Sequence, residues 1–275
     1  MSVFDVAFDK ALARVGPGVR QPFSEARTPR APIEDVLPAV DKFEFDPTRL
    51  VVAASIVGEQ YRALKTNLSR FRDTEGIGTF TFSSSVMGEG KTTLVVNTAR
   101  AYAREKGVKV AVVDCDFKRP GVSEFCRVEP KVGFEEVVAG SAPITDCGVF
   151  SRRDGFAVFP IKIGPEETVD LVASPGFDKA LAALESMFDM VLFDTSPVLS
   201  TTEPLVLGAK TGGVILVVKA NSTQRESVLY AQGQLEQAGC RLLGVVLNAR
   251  PSYVPRLWLL RRFDYFQDDY AYKAK

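Results

Sequence analysis

Apolar residues follow two different spacings along the chain, with a patternless stretch at either end. From Glu59 to Phe71 they recur at helical period, which puts Tyr61, Leu64, Leu68 and Phe71 on one face. Beyond it come short, mostly unalternating runs: Thr79–Ser83, Val108–Val113, Gly155–Pro160, Met190–Phe193, Val214–Val218 and Leu243–Leu247. Runs of that length and make-up predict strands buried on both faces. Helices are predicted between them, from Lys91 to about Lys106 (closed by Gly107), over Phe177–Phe188 and over Arg225–Ala238. Buried strands alternating with helices predict an α/β fold of three layers, with a mainly parallel central sheet flanked by helices. There is no internal repeat.

The two ends read differently. Six of the 16 prolines (Pro17, Pro22, Pro29, Pro32, Pro38 and Pro47) fall in the first fifty residues, among mixed charges and few aromatics. Such a stretch has too little apolar surface to offset chain ordering, so residues 1–50 are expected to form a disordered arm with short helical turns near Phe4–Val15. After Asn248 the chain passes Pro251 and Pro255 and enters Arg256–Phe263, where Trp258 stands among leucines and arginines. That segment suits either an interfacial membrane patch or a terminal helix packed on the sheet. The last twelve residues carry Tyr265, Tyr270 and Tyr272 among Asp264, Asp268 and Asp269. The expected division is an arm over 1–50, a folded domain over 51–250 and a tyrosine-bearing tail over 251–275.

Composition narrows the chemistry. The chain has 275 residues, 46% of them hydrophobic, enough for a sizeable core. Its 34 basic and 34 acidic residues cancel, so there is no overall pull toward nucleic acid. It contains no histidine, which excludes Ser-His-Asp and Cys-His relays, His-ligated zinc and any imidazole acid or base. Cys115, Cys126, Cys147 and Cys240 are scattered, as expected of reduced thiols in a cytosolic protein. No apolar run approaches the roughly 18 residues of a membrane helix, and the N-terminus lacks a signal-peptide profile, so a soluble intracellular protein is expected.

One segment carries the chemistry. Ser84-Ser-Val-Met-Gly-Glu-Gly-Lys-Thr-Thr93 lies between a predicted strand and a predicted helix. Gly88 and Gly90 let the backbone curl so that successive N–H groups point at phosphate oxygens, with a helix N-terminus behind them. Lys91 would reach the β and γ phosphates and the Thr92 hydroxyl a Mg²⁺ ion. Against G-x-x-x-x-G-K-[ST] the first glycine is replaced by Ser85, so a glycine turn capping a surface helix stands as the plainer reading. Two further strands end in Asp114-Cys-Asp116 and in Asp194-Thr-Ser-Pro197. Ligands gather at the carboxyl ends of parallel strands, where an aspartate typically orients Mg²⁺. Either aspartate alone would suit an ordinary strand-end turn equally well.

Together these three segments resemble the Walker-type motifs of the bacterial tyrosine kinases (BY-kinases), which are built on a ParA/MinD-like P-loop NTPase fold. The likeness spans about residues 55–250. Glu59-Gln-Tyr-Arg-Ala-Leu-Lys resembles that family's E-x-x-R-x-x-R helix, Gly133-Phe-Glu-Glu-Val-Val-Ala-Gly its G-L-x-D-V-L-x-G element, and Leu243–Asn248 its closing strand. The signature lysine of the partitioning ATPases is missing from Ser85-Val86-Met87, which favours the kinase branch. Met87 stands in place of the usual Pro, Lys65 of Arg, Ser196 of Pro and Glu203 of Asp.

The resemblance implies an ATP-dependent protein-tyrosine kinase of capsular or exopolysaccharide synthesis that phosphorylates its own tail in trans. ATP and Mg²⁺ are the implied cofactors, with Gly88, Glu89, Gly90, Lys91, Thr92, Thr93 and Asn248 around the nucleotide. Thr92 and Asp116 are expected to hold the metal and Asp194 to orient it through water. Asp114 is the expected base, although Asp114 and Asp116 can exchange the roles of ligand and base. Tyr265, Tyr270 and Tyr272 are the implied phosphoacceptors, and Glu59, Arg62 and Lys65 the implied contacts of a homo-oligomeric ring. The implied partners are a membrane-bound polysaccharide co-polymerase that acts as activator and a tyrosine phosphatase, with no nucleic acid. The expected location is cytoplasmic, held at the inner face of the membrane through that partner. Two other readings remain: a nucleotide-switched regulatory ATPase without kinase activity and, less well matched, a partitioning-type ATPase on DNA.

Overall fold

Successive side chains leave a strand on opposite faces, so a run that is apolar throughout must be covered on both. The computed structural model, which describes residues 31–51, 55–105, 107–162 and 168–249, meets that demand with two helical layers around one sheet. The strands are β1 (Ala39–Val40), β2 (Thr79–Ser84), β3 (Val110–Cys115), β4 (Val149–Ser151), β5 (Phe156–Phe159), β6 (Met190–Thr195), β7 (Val214–Lys219) and β8 (Leu242–Asn248). They lie in the order β1-β4-β5-β3-β6-β2-β7-β8, and every neighbouring pair is parallel except β4 and β5. The described helices are α1 (Ile56–Glu75), α2 (Lys91–Tyr102), α3 (Val122–Cys126), α4 (Phe134–Val138), α5 (Ile144–Cys147), α6 (Thr168–Ala173), α7 (Pro175–Met187), α8 (Glu203–Lys210) and α9 (Arg225–Gln237).

On one face Phe80, Phe82, Val112, Leu192, Ile215 and Val217 meet Leu64, Leu68 and Phe71 of α1 and Val95, Ala99 and Tyr102 of α2. On the other, Val113, Val191 and Phe193 meet Phe134 of α4 and Phe177, Leu181 and Leu184 of α7. Val214, Leu216 and Val218 pack there against Ala231 and Leu235 of α9. The α1 helix is closed at both ends: Ser55 Oγ accepts from the Gly58 N–H at 3.1 Å, and Gly76 takes the left-handed conformation at φ +68°.

Two expected boundaries move. The α2 helix stops at Tyr102 instead of Lys106, because Tyr102 is its last buried side chain and the next residues turn, the Glu105 N–H donating to the Tyr102 carbonyl at 2.7 Å. The β3 strand starts at Val110 instead of Val108, since the Lys109 N–H is taken by the Asp189 carboxylate at 2.9 Å.

The expectation of a disordered arm over residues 1–50 is corrected for its second half, while residues 1–30 lie outside the described residues. From residue 31 the chain straps the sheet edge. Ile33, Leu37 and Phe43 are buried, and β1 pairs in parallel with β4. The Phe43 N–H donates to Asp154 at 2.8 Å, and Phe45 lies parallel to Phe156 with centroids 6.3 Å apart. The Arg100 guanidinium stands 5.0 Å over the Phe45 ring. A few well-spaced apolar side chains on a proline-stiffened strand find a preformed surface here, so the segment needs no core of its own. No helix among the described residues is long and apolar enough to cross a membrane.

Candidate active site

The central strand β2 delivers the loop. Ser83 Oγ donates to the Ser196 carbonyl and Ser84 Oγ to the Val86 carbonyl, both at 2.7 Å, and the chain then turns through Val86 and Met87, which are exposed. Gly88 and Gly90 have φ of +78° and +87°, so the backbone doubles back before α2 begins at Lys91. At Gly90 the need for glycine is also steric: an added Cβ would lie 2.2 Å from Nδ2 of Asn248. That amide, at the end of β8, donates to the Glu89 carbonyl at 2.7 Å, and its oxygen accepts the Ala249 N–H at 2.8 Å. The Glu89 side chain, 1% exposed, folds away from the loop mouth. Its carboxylate accepts from the Val86 N–H at 2.9 Å, the Lys219 N–H at 3.0 Å and the Thr223 hydroxyl. The carboxylate is thereby spent on holding the loop, and the Glu89 backbone is what faces the cradle.

Parallel register gathers the acids. Asp114 of β3 is the direct partner of Asp194 on β6, and Asp194 pairs with Phe82 of β2 on its other side. The Thr92 hydroxyl, in the first turn of α2, donates to Asp194 Oδ2 at 2.5 Å. Asp194 Oδ1 is buried without a hydrogen-bond partner. Burial drives the Asp194 carboxyl up to about 7, against the opposing pull of the Lys91 charge and the Thr92 hydrogen bond. Asp114 is wholly buried; burial and the charge of Asp194 push its carboxyl well above the usual range. Its Oδ1 accepts from the Asp116 N–H at 3.1 Å, and its Oδ2 from the Gly121 and Val122 N–H groups, each at 3.0 Å. Both Asp114 oxygens are therefore spent on shaping the segment that follows β3.

Asp116 differs. It is 9% exposed, and one oxygen accepts from the Arg119 N–H at 3.1 Å. Burial raises its carboxyl, the Lys91 ammonium lowers it, and the charge of Glu203 raises it. The segment from Asp116 to Gly121 lies against the metal-binding side of the loop, since a Cβ on Gly121 would come within 3.0 Å of Thr92 Oγ1. A Thr hydroxyl beside an unpartnered carboxylate oxygen is a donor set suited to a hard cation. Among the described residues no group of three or more His, Cys, Asp or Glu is placed to cage a metal. Mg²⁺ itself takes one or two carboxylates and fills its octahedron with phosphate oxygens and water.

The remaining expected residues lie elsewhere. Thr93 is in the first turn of α2, half-buried beside Thr92. On α1, Glu59 is exposed and bonded to Arg62, with Arg62 Nε donating at 2.8 Å. Lys65 is instead tied inside the chain, its ammonium 2.7 Å from Glu105. Tyr265, Tyr270 and Tyr272 lie outside the described residues. Of the described tyrosines, Tyr61 and Tyr102 are buried and Tyr230 is 63% exposed. Lys219 and Thr223 gave no signal in the sequence: they act through one backbone N–H and one hydroxyl, more than a hundred residues from the loop they hold.

Residues 81–252 match the family model of the CobQ/CobB/MinD/ParA nucleotide-binding domain. Tyrosine-protein kinase CpsD of Streptococcus pneumoniae is 32% identical over 193 residues, covering 69% of this chain and 83% of that protein. Tyrosine-protein kinase YwqD of Bacillus subtilis is 27% identical over 196 residues, covering 71% and 82%. Among solved structures the chimerical protein CapA2B2 superposes with a TM-score of 0.70 at 26% identity, over 78% of this chain and 94% of that one.

Proposed function

Because the chain belongs to the CobQ/CobB/MinD/ParA nucleotide-binding family, and within it to the bacterial tyrosine-protein kinases, we propose that it transfers the γ-phosphoryl of ATP to tyrosines in the tail of an adjacent copy. The observation that carries the reading is local. A buried lysine at a helix N-terminus stands beside a Thr–Asp pair with a spare carboxylate oxygen, and a second aspartate, Asp116, flanks them with one oxygen not held by a backbone donor. Mg²⁺ supplies charge neutralisation across the phosphates when bound. Lys91 and the N–H groups of residues 88–92 hold the phosphates, while Thr92 and Asp194 hold the metal.

Asp116, not Asp114, is the base we assign. Asp114 is wholly buried and both of its oxygens already accept backbone N–H groups, whereas Asp116 keeps one oxygen without such a donor and sits beside Lys91. As the tyrosine oxygen bonds to phosphorus, the bond to the β-phosphate oxygen breaks, ADP leaves and the phenol proton passes to Asp116. Positioning and electrostatics do the work, so the absence of histidine costs the chemistry nothing. The setting we propose is control of capsular or exopolysaccharide synthesis, with a membrane-bound co-polymerase as activator and a phosphatase as opponent. The exposed Glu59–Arg62 pair would contribute to a ring of copies.

The test is incubation of the full chain with γ-labelled ATP and Mg²⁺, followed by mapping of phosphotyrosine. Label is expected on Tyr265, Tyr270 or Tyr272 and is expected to vanish in Lys91→Met. ATP turnover with no phosphotyrosine would sink the kinase reading in favour of a nucleotide-switched regulatory ATPase.

A further inference from the structure

Two cations at the rim of the site are left over by the nucleotide chemistry. Phe117 turns inward, 3% exposed, and leaves Lys118 and Arg119 exposed at the tip of the segment that follows Asp116. The tip is held rigidly: the Asp114 carboxylate grips its far end at Gly121 and Val122, and the Arg119 N–H is fixed to Asp116. Neither cation makes an ion pair or a side-chain hydrogen bond with another described residue, unlike Lys65, Arg49 or Lys162, which have acidic partners. This pair of solvated charges, on a backbone anchored beside Asp116, meets whatever approaches that carboxylate from outside, and the Arg119 charge already bears on it.

The tail has the complementary pattern. Asp264 directly precedes Tyr265, Asp268 and Asp269 precede Tyr270, and Asp269 stands three residues before Tyr272. Tyr253 has no acidic residue near it and is followed by Val254, Pro255 and Arg256. An acidic peptide nearing Asp116, Asp194 and a triphosphate meets like charge, which opposes docking unless cations at the rim offset it. We propose that Lys118 and Arg119 recognise the acceptor, selecting tyrosines with an aspartate one to three residues to the N-terminal side, as in the tail of a second copy of this chain. This rests on the kinase reading for its purpose, but the docking can be measured apart from catalysis.

A fluorescent peptide of residues 263–272 is titrated onto the full chain and assayed as substrate, beside the same peptide carrying Asp264→Asn, Asp268→Asn and Asp269→Asn. The asparagine peptide is expected to bind and to be labelled about tenfold less well at low salt, with the difference shrinking as salt rises. In Lys118→Glu/Arg119→Glu the preference should disappear while ATP affinity holds, and a peptide with lysines at the three positions should regain binding. In the intact chain Tyr253 should stay unlabelled. Equal binding of the aspartate and asparagine peptides to the unmodified protein overturns the proposal. So does a loss of ATP affinity in the double variant as large as its loss of peptide affinity, which would assign the cations to the nucleotide. If that variant fails to fold, the peptide pair on the unmodified chain still decides. Selective binding without labelling leaves the docking intact and removes the kinase reading instead.

Discussion

Glu89 lies inside the phosphate loop, yet its carboxylate serves the loop and not a ligand. It is buried and takes three donors, two of them backbone N–H groups. In Glu89→Gln one carboxylate oxygen becomes an NH₂ that faces a donor. A buried mismatch of that kind costs about 1–3 kcal/mol. We expect the melting temperature to fall by roughly 2–4 °C for each kcal/mol lost, with nucleotide affinity falling alongside because the cradle loosens. Calorimetry and nucleotide titration check this; weaker nucleotide binding at an unchanged melting temperature would mean that the carboxylate touches the ligand after all. Lys91 and Thr92 are legible in the sequence because they follow two loop glycines at the start of a helix, and Asp114, Asp116 and Asp194 because each lies at or next to a strand end. The work of Glu89 is not, since its partners Lys219 and Thr223 are 130 and 134 residues away. The division of labour between Asp114 and Asp116 is equally hidden, because it depends on which carboxylate the Gly121 and Val122 N–H groups occupy.

At the scale of elements, the long ones are readable and the short ones are not. The β2, β6, β7 and β8 strands and the α1, α7 and α9 helices have enough apolar residues at one period to stand out. The four- to six-residue helices α3 to α6 and the two- and three-residue strands β1 and β4 do not, since segments that short carry no detectable period. The strap over residues 31–51 is hidden for a related reason: its buried residues contact the sheet edge and α2 with no period of their own. Asn97, on the inner side of α2, closes it. Its oxygen accepts the Val51 N–H at 3.0 Å, and its amide donates to the Arg49 carbonyl at 3.0 Å and the Thr93 carbonyl at 2.8 Å. Asn97→Ala should therefore release the end of the strap but not its middle, which Asp154 and the Phe45–Phe156 stack hold independently. In hydrogen exchange the Val51 amide should lose protection by about fivefold, matching a hydrogen bond of about 1 kcal/mol, while the Phe43 amide stays protected. Equal loss at both amides would show that the strap opens as one unit.

For the whole molecule, the balance of 34 acidic and 34 basic residues conceals a concentration of charge at the carboxyl ends of the central strands. Asp114 and Asp194 are register partners on adjacent parallel strands, and Asp116 comes two residues after Asp114. Such a placement is costly without a cation, and the cost has a sign that can be tested. Burial and mutual repulsion raise the Asp114 carboxyl, and burial raises Asp194 to about 7. Between the ordinary carboxylate range and those raised values the folded chain binds more protons than the unfolded one, so stability falls as pH rises through that window. Without metal or nucleotide the melting temperature should therefore decline from about pH 5 to about pH 8. Asp194→Asn removes one of the two buried charges, so it should flatten that decline and raise the melting temperature at the upper end while abolishing activity. Mg²⁺ with a non-hydrolysable ATP analogue should stabilise the unmodified chain more at about pH 8 than at about pH 6, because the cation binds the ionised pair. A lower melting temperature for Asp194→Asn at the upper end would mean that the Thr92 hydrogen bond outweighs the repulsion. A more stable but inactive Asp194→Asn protein, the expected result, would mean that this end of the central strands gives up stability to keep carboxylates ready for a metal.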